Sequence, residues 1–425
     1  MIVFFAFSIV FLLIISWIKK ITLFSPYGFF IFFSLLYNVI PYLAGKGIIN
    51  PIFELDYTLF YINKQLQIVS MSNVIFGIVY LIKYKYVRYE FLKPRIKFNA
   101  VKNVYLFFYI CLFLILLILC KKYGWNQYSH NYSTEYSTMY SITSYLKYLF
   151  VSMYLFYMYK YGLDKKSVLL LILQILLMLV DGARTTFFMV FSGTIIFYLI
   201  QNRKIKMPKK ITALLIFVLG IIFIVVARTI IMNGENKGLT SIYVEGQAGS
   251  YMALQGILGY TNGYIGNYTY GANYLIDPFI YFFTKGDLRN SLLYYSKWIN
   301  ELAPYLRDSF APMGGFYYIA EGISTFPLVG TEIVTGIFAY ITCHISNNKN
   351  KHKRLYIIYT STIGVLFSKQ IFSNLFTMFL TIYICFLFVE FMYKLLYSFL
   401  YKFAKPKYPY DSIRFKNKQK NYFAN

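Results

Sequence analysis

Apolar runs long enough to cross a lipid bilayer recur along nearly the whole chain, and short clusters of Lys and Arg separate them. A bilayer core takes about 17–25 predominantly apolar residues of helix. Such runs are read as helices, because a helix satisfies its own backbone hydrogen bonds where no water is present. The chain is 58% hydrophobic and only 14% charged, against about 25% charged residues in soluble domains. The fold class expected is an all-α polytopic integral membrane protein.

The formal net charge of +26 would suit nucleic acid if it were gathered on one surface. It is not, and no nucleic-acid partner is expected. Of the 42 Lys and Arg, 28 lie at Lys19–Lys20, Lys83 to Lys102, Lys160 to Lys166, Arg203 to Lys210, Lys349 to Arg354 and Lys402 to Lys420, between the apolar runs. Basic clusters between spans mark cytoplasmic loops. With all six on the cytoplasmic side, the runs between them leave and return in pairs: 27–44 with 67–82, 104–120 with 143–159, 167–180 with 185–200, 211–232 with 325–344, and 355–368 with 374–397. The first run, Ile2 to Ile18, has its positive charge behind it rather than in front, so it reads as an uncleaved span and not as a signal peptide. About eleven transmembrane helices (10–12) result, with the N-terminus extracytoplasmic and the C-terminus cytoplasmic, as one transmembrane domain over 1–425.

One connection differs from the rest. Residues 233–324 form a long extracytoplasmic loop, far beyond the few residues most connections need. Its segments YLIDPFIYFF and SLLYYSKWIN mix aromatic and polar residues, a pattern that suits helices lying at the membrane interface. Function is sought there.

Three groups of residues carry candidate chemistry. The turn DGART, Asp181 to Thr185, follows an apolar run of only 14 residues, Ser167 to Val180. That run spans roughly 21 Å at 1.5 Å per residue, so the turn sits recessed and Arg184 faces a polar interior rather than lipid. Arg228 ends the 17 residues from Ile211 to Ala227 and reaches the same outer level. Two guanidinium groups at one depth suit bidentate contact with a diphosphate, although interfacial Arg also snorkels to lipid headgroups. The long loop supplies Glu235, Glu245, Asp277, Asp287, Glu301 and Asp308, with Arg289, Arg307 and, at its end, Glu321. A carboxylate at an apolar edge has a raised pKa and can act as general base. The loop aromatics Tyr264, Tyr268, Tyr270, Tyr294, Tyr295 and Trp298 are either interfacial anchors or faces for stacking on sugar rings. His130, His344 and His352 form no metal-site spacing with the four cysteines, and neither metal nor cofactor is expected.

This order of features resembles the O-antigen polymerase (Wzy-type) family, the oligosaccharide repeat-unit polymerases of bacterial surface polysaccharides. The resemblance rests on the overall layout, on GART opening TTFFMVFSG, and on PMGGFYYIAEGISTFPLVGTEIVTGIF after the long loop. It implies a metal-independent inverting glycosyl transfer on the outer face of the bacterial plasma membrane. Donor and acceptor would both be glycans on undecaprenyl diphosphate, with a chain-length regulator and a flippase as further partners. Arg184 and Arg228 would hold the diphosphate, with Asp181, Arg289, Arg307, Tyr268 and Trp298 also lining the substrate. Glu321, Glu245 or Asp308 would assist the acceptor hydroxyl. Alternatives are a lipid-linked oligosaccharide flippase or an O-antigen ligase. The ligases use an external His, which the long loop lacks. A membrane acyltransferase would want a His or an activated Ser near the membrane, and His130 and His344 are poorly placed for that.

Overall fold

The computed structural model describes residues 1–22, 25–49, 59–87, 99–124, 134–162, 164–181, 184–201, 253–254, 257, 268–283, 292, 318–326, 329–368 and 372–403. Among these, all regular structure is helical. The helices are α1 (Ile2–Ile18), α2 (Pro26–Gly45), α3 (Leu59–Lys83), α4 (Asn99–Tyr123), α5 (Thr134–Tyr161), α6 (Lys165–Asp181) and α7 (Arg184–Gln201). They continue with α8 (Ala272–Phe283), α9 (Tyr318–Thr325), α10 (Gly330–Asn347), α11 (Lys353–Ser361), α12 (Ile363–Leu366) and α13 (Phe372–Phe403). Among the described residues, four helices are long and apolar enough to cross a membrane: Pro26–Gly45, Leu59–Lys83, Ala100–Tyr123 and Phe372–Leu400. The described residues are those of an all-α membrane protein. A helix lies at each apolar run named above except 211–232, which is outside the described residues.

Two of those runs are interrupted. The run expected at 325–344 begins later, at Gly330, and a separate short helix, α9, precedes it. Pro327 lies between them in the sequence and can neither donate a backbone hydrogen bond nor sit inside a helix without clash. The run at 355–368 divides at Thr362, whose ψ of −95° is not helical. Here the hydroxyls of Thr360, Ser361 and Thr362 each donate to the carbonyl four residues back, at 2.7, 2.8 and 2.6 Å. Three successive side chains competing for helix carbonyls bend a helix.

Packing divides the helices into two groups. In the first, α3 runs between α1, α2 and α10. Gly77 makes the α1 crossing possible, since a Cβ there would stand 2.7 Å from the Phe11 ring and 2.8 Å from Ile15 Cδ1. Small residues at crossings and buried amides are how helices adhere where hydrophobicity gives no contrast. Ser8, Ser34, Asn38, Gln65 and Asn73 form such a buried set: Asn73 donates to Ser8 Oγ at 3.0 Å and Gln65 to Asn38 Oδ1 at 2.9 Å. Pro41 removes the donor that Tyr37 C=O would otherwise receive, and the Gln65 amide supplies it instead, at 3.0 Å.

The second group joins α4, α5, α6, α7 and α13. Ser152 Oγ donates to Ile382 O at 3.0 Å, and Gln174 donates to Tyr109 Oη at 2.8 Å and to Phe150 O at 3.1 Å. The interrupted pair α11–α12 lies between the groups, with contacts to α2 on one side and α7 on the other. A Cβ on Gly193 would meet Ser361 Oγ at 2.8 Å, so α7 approaches α11 closely. An aromatic seam of Phe30, Phe76, Phe338 and Phe367, stacked at 3.9 Å and 3.7 Å in its two outer pairs and at 6.2 Å between them, extends from α2 to the end of α12.

The basic helix ends meet one another. Lys19 donates to Tyr84 O, and Asn347 joins Lys83 O and the Lys85 N–H. Lys102 pairs with Asp164, Lys166 donates to Asn103, and Lys160 lies over the Tyr393 ring, whose hydroxyl meets Tyr161. Arg354 pairs with Glu390 at 3.0 Å. Charge clusters scattered in sequence thus converge on one end of the helical assembly.

Candidate functional site

Away from that basic end, two buried polar clusters contain sequence-predicted residues. The first is built around Glu321, 3% exposed, on α9. It is set up by α8, which carries its polar residues inward and its apolar ones outward. Asn273, Asp277 and Pro278 are buried, whereas Leu275, Ile276, Phe279 and Phe283 are exposed. Inverted amphipathicity of this kind suits a helix whose outer face meets lipid rather than water. The chain enters α8 through Tyr270 and Gly271, both at positive φ (47° and 88°). Gly adopts that conformation without strain, but Tyr270 stores on the order of 1 kcal/mol there. Its N–H donates to Thr325 O at 3.0 Å, tying the turn to α9.

Glu321 Oε1 accepts from Asn273 Nδ2 at 3.3 Å, and Oε2 accepts from the backbone N–H of Phe372 at 2.9 Å. Phe372 is the first residue of α13. Its N–H is one of the donors a helix leaves unsatisfied at its start, and the helix dipole favours negative charge there. Asn273 Oδ1 in turn accepts from the Thr269 hydroxyl at 2.6 Å, while Asp277 Oδ1 accepts from the Leu292 N–H at 2.6 Å. Glu321 precedes the α10 helix and lies outside the apolar run that follows. Burial pushes its carboxyl up to about 8; the nearby Asp277 adds to this, and the Phe372 and Asn273 hydrogen bonds act against it. Such a carboxyl takes up and releases a proton near neutral pH.

The position of α9 is fixed by close packing. A Cβ on Gly322 would lie 2.6 Å from Thr331 Cα and 2.9 Å from its backbone N, and one on Gly330 would strike the Gly322 carbonyl. Only glycine at these two points lets α9 and α10 fold against each other, and this sets the depth of Glu321 beside the start of α13.

The second cluster lies at the end of α6. Helix α6 ends at Asp181 and α7 begins at Arg184, as the hairpin reading of DGART requires. Asp181 Oδ2 pairs with Lys147 Nζ of α5 at 2.8 Å, with the two side chains 2% and 6% exposed. The Lys147 ammonium also lies 5.6 Å from the Tyr140 ring centre. Helix α4 reaches the same point: a Cβ on Gly124 would meet Asp181 Oδ1 at 2.8 Å. Lys147 stands 14 residues before the basic-end Tyr161, roughly 21 Å along its helix, short of the ~30 Å of a hydrocarbon core.

Of the other predicted residues, Tyr268 is partly buried with its ring 6.2 Å from that of Tyr270, which packs in turn on Phe326. Glu245, Asp308, Arg228, Arg289, Arg307 and Trp298 lie outside the described residues. The described contacts of Glu321 run to α8 and α13, and those of Asp181 to α4 and α5. Sequence reasoning missed Lys147. Its signal was present, since an ionisable residue inside an apolar run calls for a partner. Asn273 was missed as well, and no spacing marks it. Among the described residues there is no group of three or more His, Cys, Asp or Glu able to hold a metal ion. Comparison with protein-family models, with curated proteins and with solved structures found no match for the chain.

Proposed function

We propose that this protein polymerises undecaprenyl-diphosphate-linked oligosaccharide repeat units of a surface polysaccharide, at the outer face of a bacterial plasma membrane. The observation that carries the reading is Glu321: a buried carboxyl with a proton affinity near neutral, held by an amide and a helix N-terminus away from the basic end. The positive-inside rule puts the basic end in the cytoplasm, which sets about eleven spans with both polar clusters toward the outside. In the reaction, an acceptor sugar hydroxyl attacks the anomeric carbon of the donor and inverts it. The new glycosidic bond forms as the bond to the lipid diphosphate breaks, and the hydroxyl proton passes to the base. Glu321 is the base favoured here; Glu245 and Asp308 are the alternatives from sequence. Arg184 and Arg228 stabilise the charge that develops on the departing diphosphate. A charge pair at 4 Å contributes about 4 kcal/mol at an effective dielectric near 20, and it acts on the transition state because that is where the charge grows.

A flippase for the same lipid-linked units is the second reading. The buried Lys147–Asp181 pair favours it, because ionisable pairs inside a helical bundle often mark ion or substrate pathways. Deleting the protein in its host and resolving the surface polysaccharide on a gel separates the two. A polymerase leaves single repeat units where wild type shows a ladder. A flippase leaves no surface glycan and traps lipid-linked units inside. Complementation with Arg184→Ala and with Glu321→Gln then tests the assigned roles, and a normal ladder from either variant removes that residue from the mechanism.

A further inference from the structure

The contacts of α8 fix the direction in which it runs. At its start, the Tyr274 ring packs on Phe372 with centroids 5.3 Å apart, and Asn273 shares the Glu321 carboxylate with the Phe372 N–H. One turn further along both helices, the Thr377 hydroxyl donates to Pro278 O at 3.3 Å. Helix α8 therefore runs parallel to α13, inward from the level where α13 begins. From Phe372 to Glu390, which pairs with Arg354 at the basic end, α13 rises roughly 27 Å, close to the ~30 Å of a hydrocarbon core. From Asn273 to Phe283, α8 rises roughly 15 Å, so it ends about halfway across that core. The chain then turns back: the Leu292 N–H donates to Asp277 Oδ1 at 2.6 Å and so stands again at the level of Asp277. Helix α9 runs antiparallel to α8, with Thr325 beside Tyr270 and Glu321 beside Asn273. Its first residue, Tyr318, is thus its deeper end, and the Tyr318 ring packs inside the assembly on Phe367 at 5.2 Å and Phe30 at 5.8 Å.

We propose that α8 is a re-entrant helix: it dips about halfway into the hydrocarbon core from the end opposite the basic clusters, and its exposed face is covered by acyl chains of that leaflet. The inference stands whether or not the protein is a polymerase. Depth selects the occupant, and the faces of the helix agree with it. A helix lying in the interface plane turns its polar side to water. Helix α8 instead buries Asn273 and Asp277 against protein, and its exposed described side chains, Leu275, Ile276, Phe279 and Phe283, are all apolar. Backbone polar groups below the headgroups need partners within the protein, and the Pro278 carbonyl has one in Thr377. In this arrangement α8 stands between the leaflet and the buried Asn273 and Asp277.

The test places nitroxide labels on the full-length protein in phosphatidylcholine vesicles, one at a time, at Leu275→Cys, Phe279→Cys and Phe283→Cys, with the four native cysteines replaced. Collision with oxygen, which gathers in the hydrocarbon, and with a water-soluble nickel chelate gives the depth of each label. Depth should increase from position 275 to 283 by roughly 12 Å. A label at Ile384→Cys, on the exposed side of α13 and roughly 18 Å beyond Phe372, calibrates the scale, and the label at 283 should come within a few Å of it. One depth for all three α8 labels would mean a helix flat in the interface and would overturn the proposal. So would a label at 283 open to the nickel chelate, which means water, or one closed to both reagents, which means a protein cover. Each variant is read after size exclusion and a check of helical content, and Ile276→Cys takes the place of Leu275→Cys if the latter fails to fold.

Discussion

Replacing Lys147 by Met should destabilise the protein far more than replacing Lys147 and Asp181 together. The two charges are 2.8 Å apart and almost wholly excluded from solvent. At that distance their attraction is about 6 kcal/mol for an effective dielectric of 20, a gross figure that desolvation of both groups largely offsets. Removing one partner loses the attraction but leaves the other group's desolvation penalty in place. For a buried pair this costs about 3–5 kcal/mol, whereas replacing both members by apolar residues of similar volume is close to neutral. Lys147→Met strands the carboxylate and Asp181→Asn strands the ammonium; Lys147→Met/Asp181→Leu strands neither. The assay is a denaturant titration of the purified protein in mixed micelles, run on wild type, both single variants and the double variant. A coupling free energy of about 3 kcal/mol or more is expected, with the double variant the most stable of the three. Single variants that each lose under about 1 kcal/mol, or a double variant whose loss is the sum of the two, would refute the reasoning.

Glu321 gives a pH dependence of definite sign. Its folded-state pKa lies above the ordinary carboxyl value, so the folded protein holds a proton that the unfolded chain releases. Its contribution is complete below the ordinary carboxyl range and is lost as pH rises through about 8; Glu321→Gln should flatten that part of the profile by a few kcal/mol. Asp164 behaves oppositely. Burial pushes its carboxyl up, but Lys102, the Ser167 N–H and the Tyr157 hydroxyl more than offset this and hold it below the usual range. Its contribution is present at neutral pH and lost as pH falls through the folded-state value, and Asp164→Asn should remove about 1 kcal/mol at neutral pH, given its partial exposure. Gly322→Ala should cost about 2 kcal/mol or more, because the added methyl meets Thr331 backbone that cannot rotate away; thermal unfolding checks it.

What the sequence makes legible follows from which forces are local. Lipid demands helices of set length, so apolar runs and basic clusters can be read directly, and among the described residues helices lie where those runs are. The helix break at DGART was also legible, because a short run between two basic clusters leaves a helix nowhere else to end. Helix interruptions were not. Thr360, Ser361 and Thr362 look like ordinary polar residues in a run until their hydroxyls are seen bonding back to the backbone. Pro41 reads as a helix breaker, yet α2 continues through it because Gln65, distant in sequence, supplies the missing donor. The same limit applies to the candidate site. Glu321 was legible as a carboxyl in an aromatic, glycine-containing stretch. Its partners Asn273 and the Phe372 N–H come from two other helices, and only tertiary packing brings them together.

The most direct test of the account is the side of the membrane on which its two ends lie. Single cysteines at Lys121 and Tyr270, and at Lys351 and Lys19, in a chain whose four native cysteines are replaced, can be treated with a membrane-impermeant maleimide in intact cells. The account predicts labelling of the first two before permeabilisation and of the second two only after it. Labelling in the reverse order would put Glu321 and the Asp181 turn on the cytoplasmic side and contradict a reaction at the outer face.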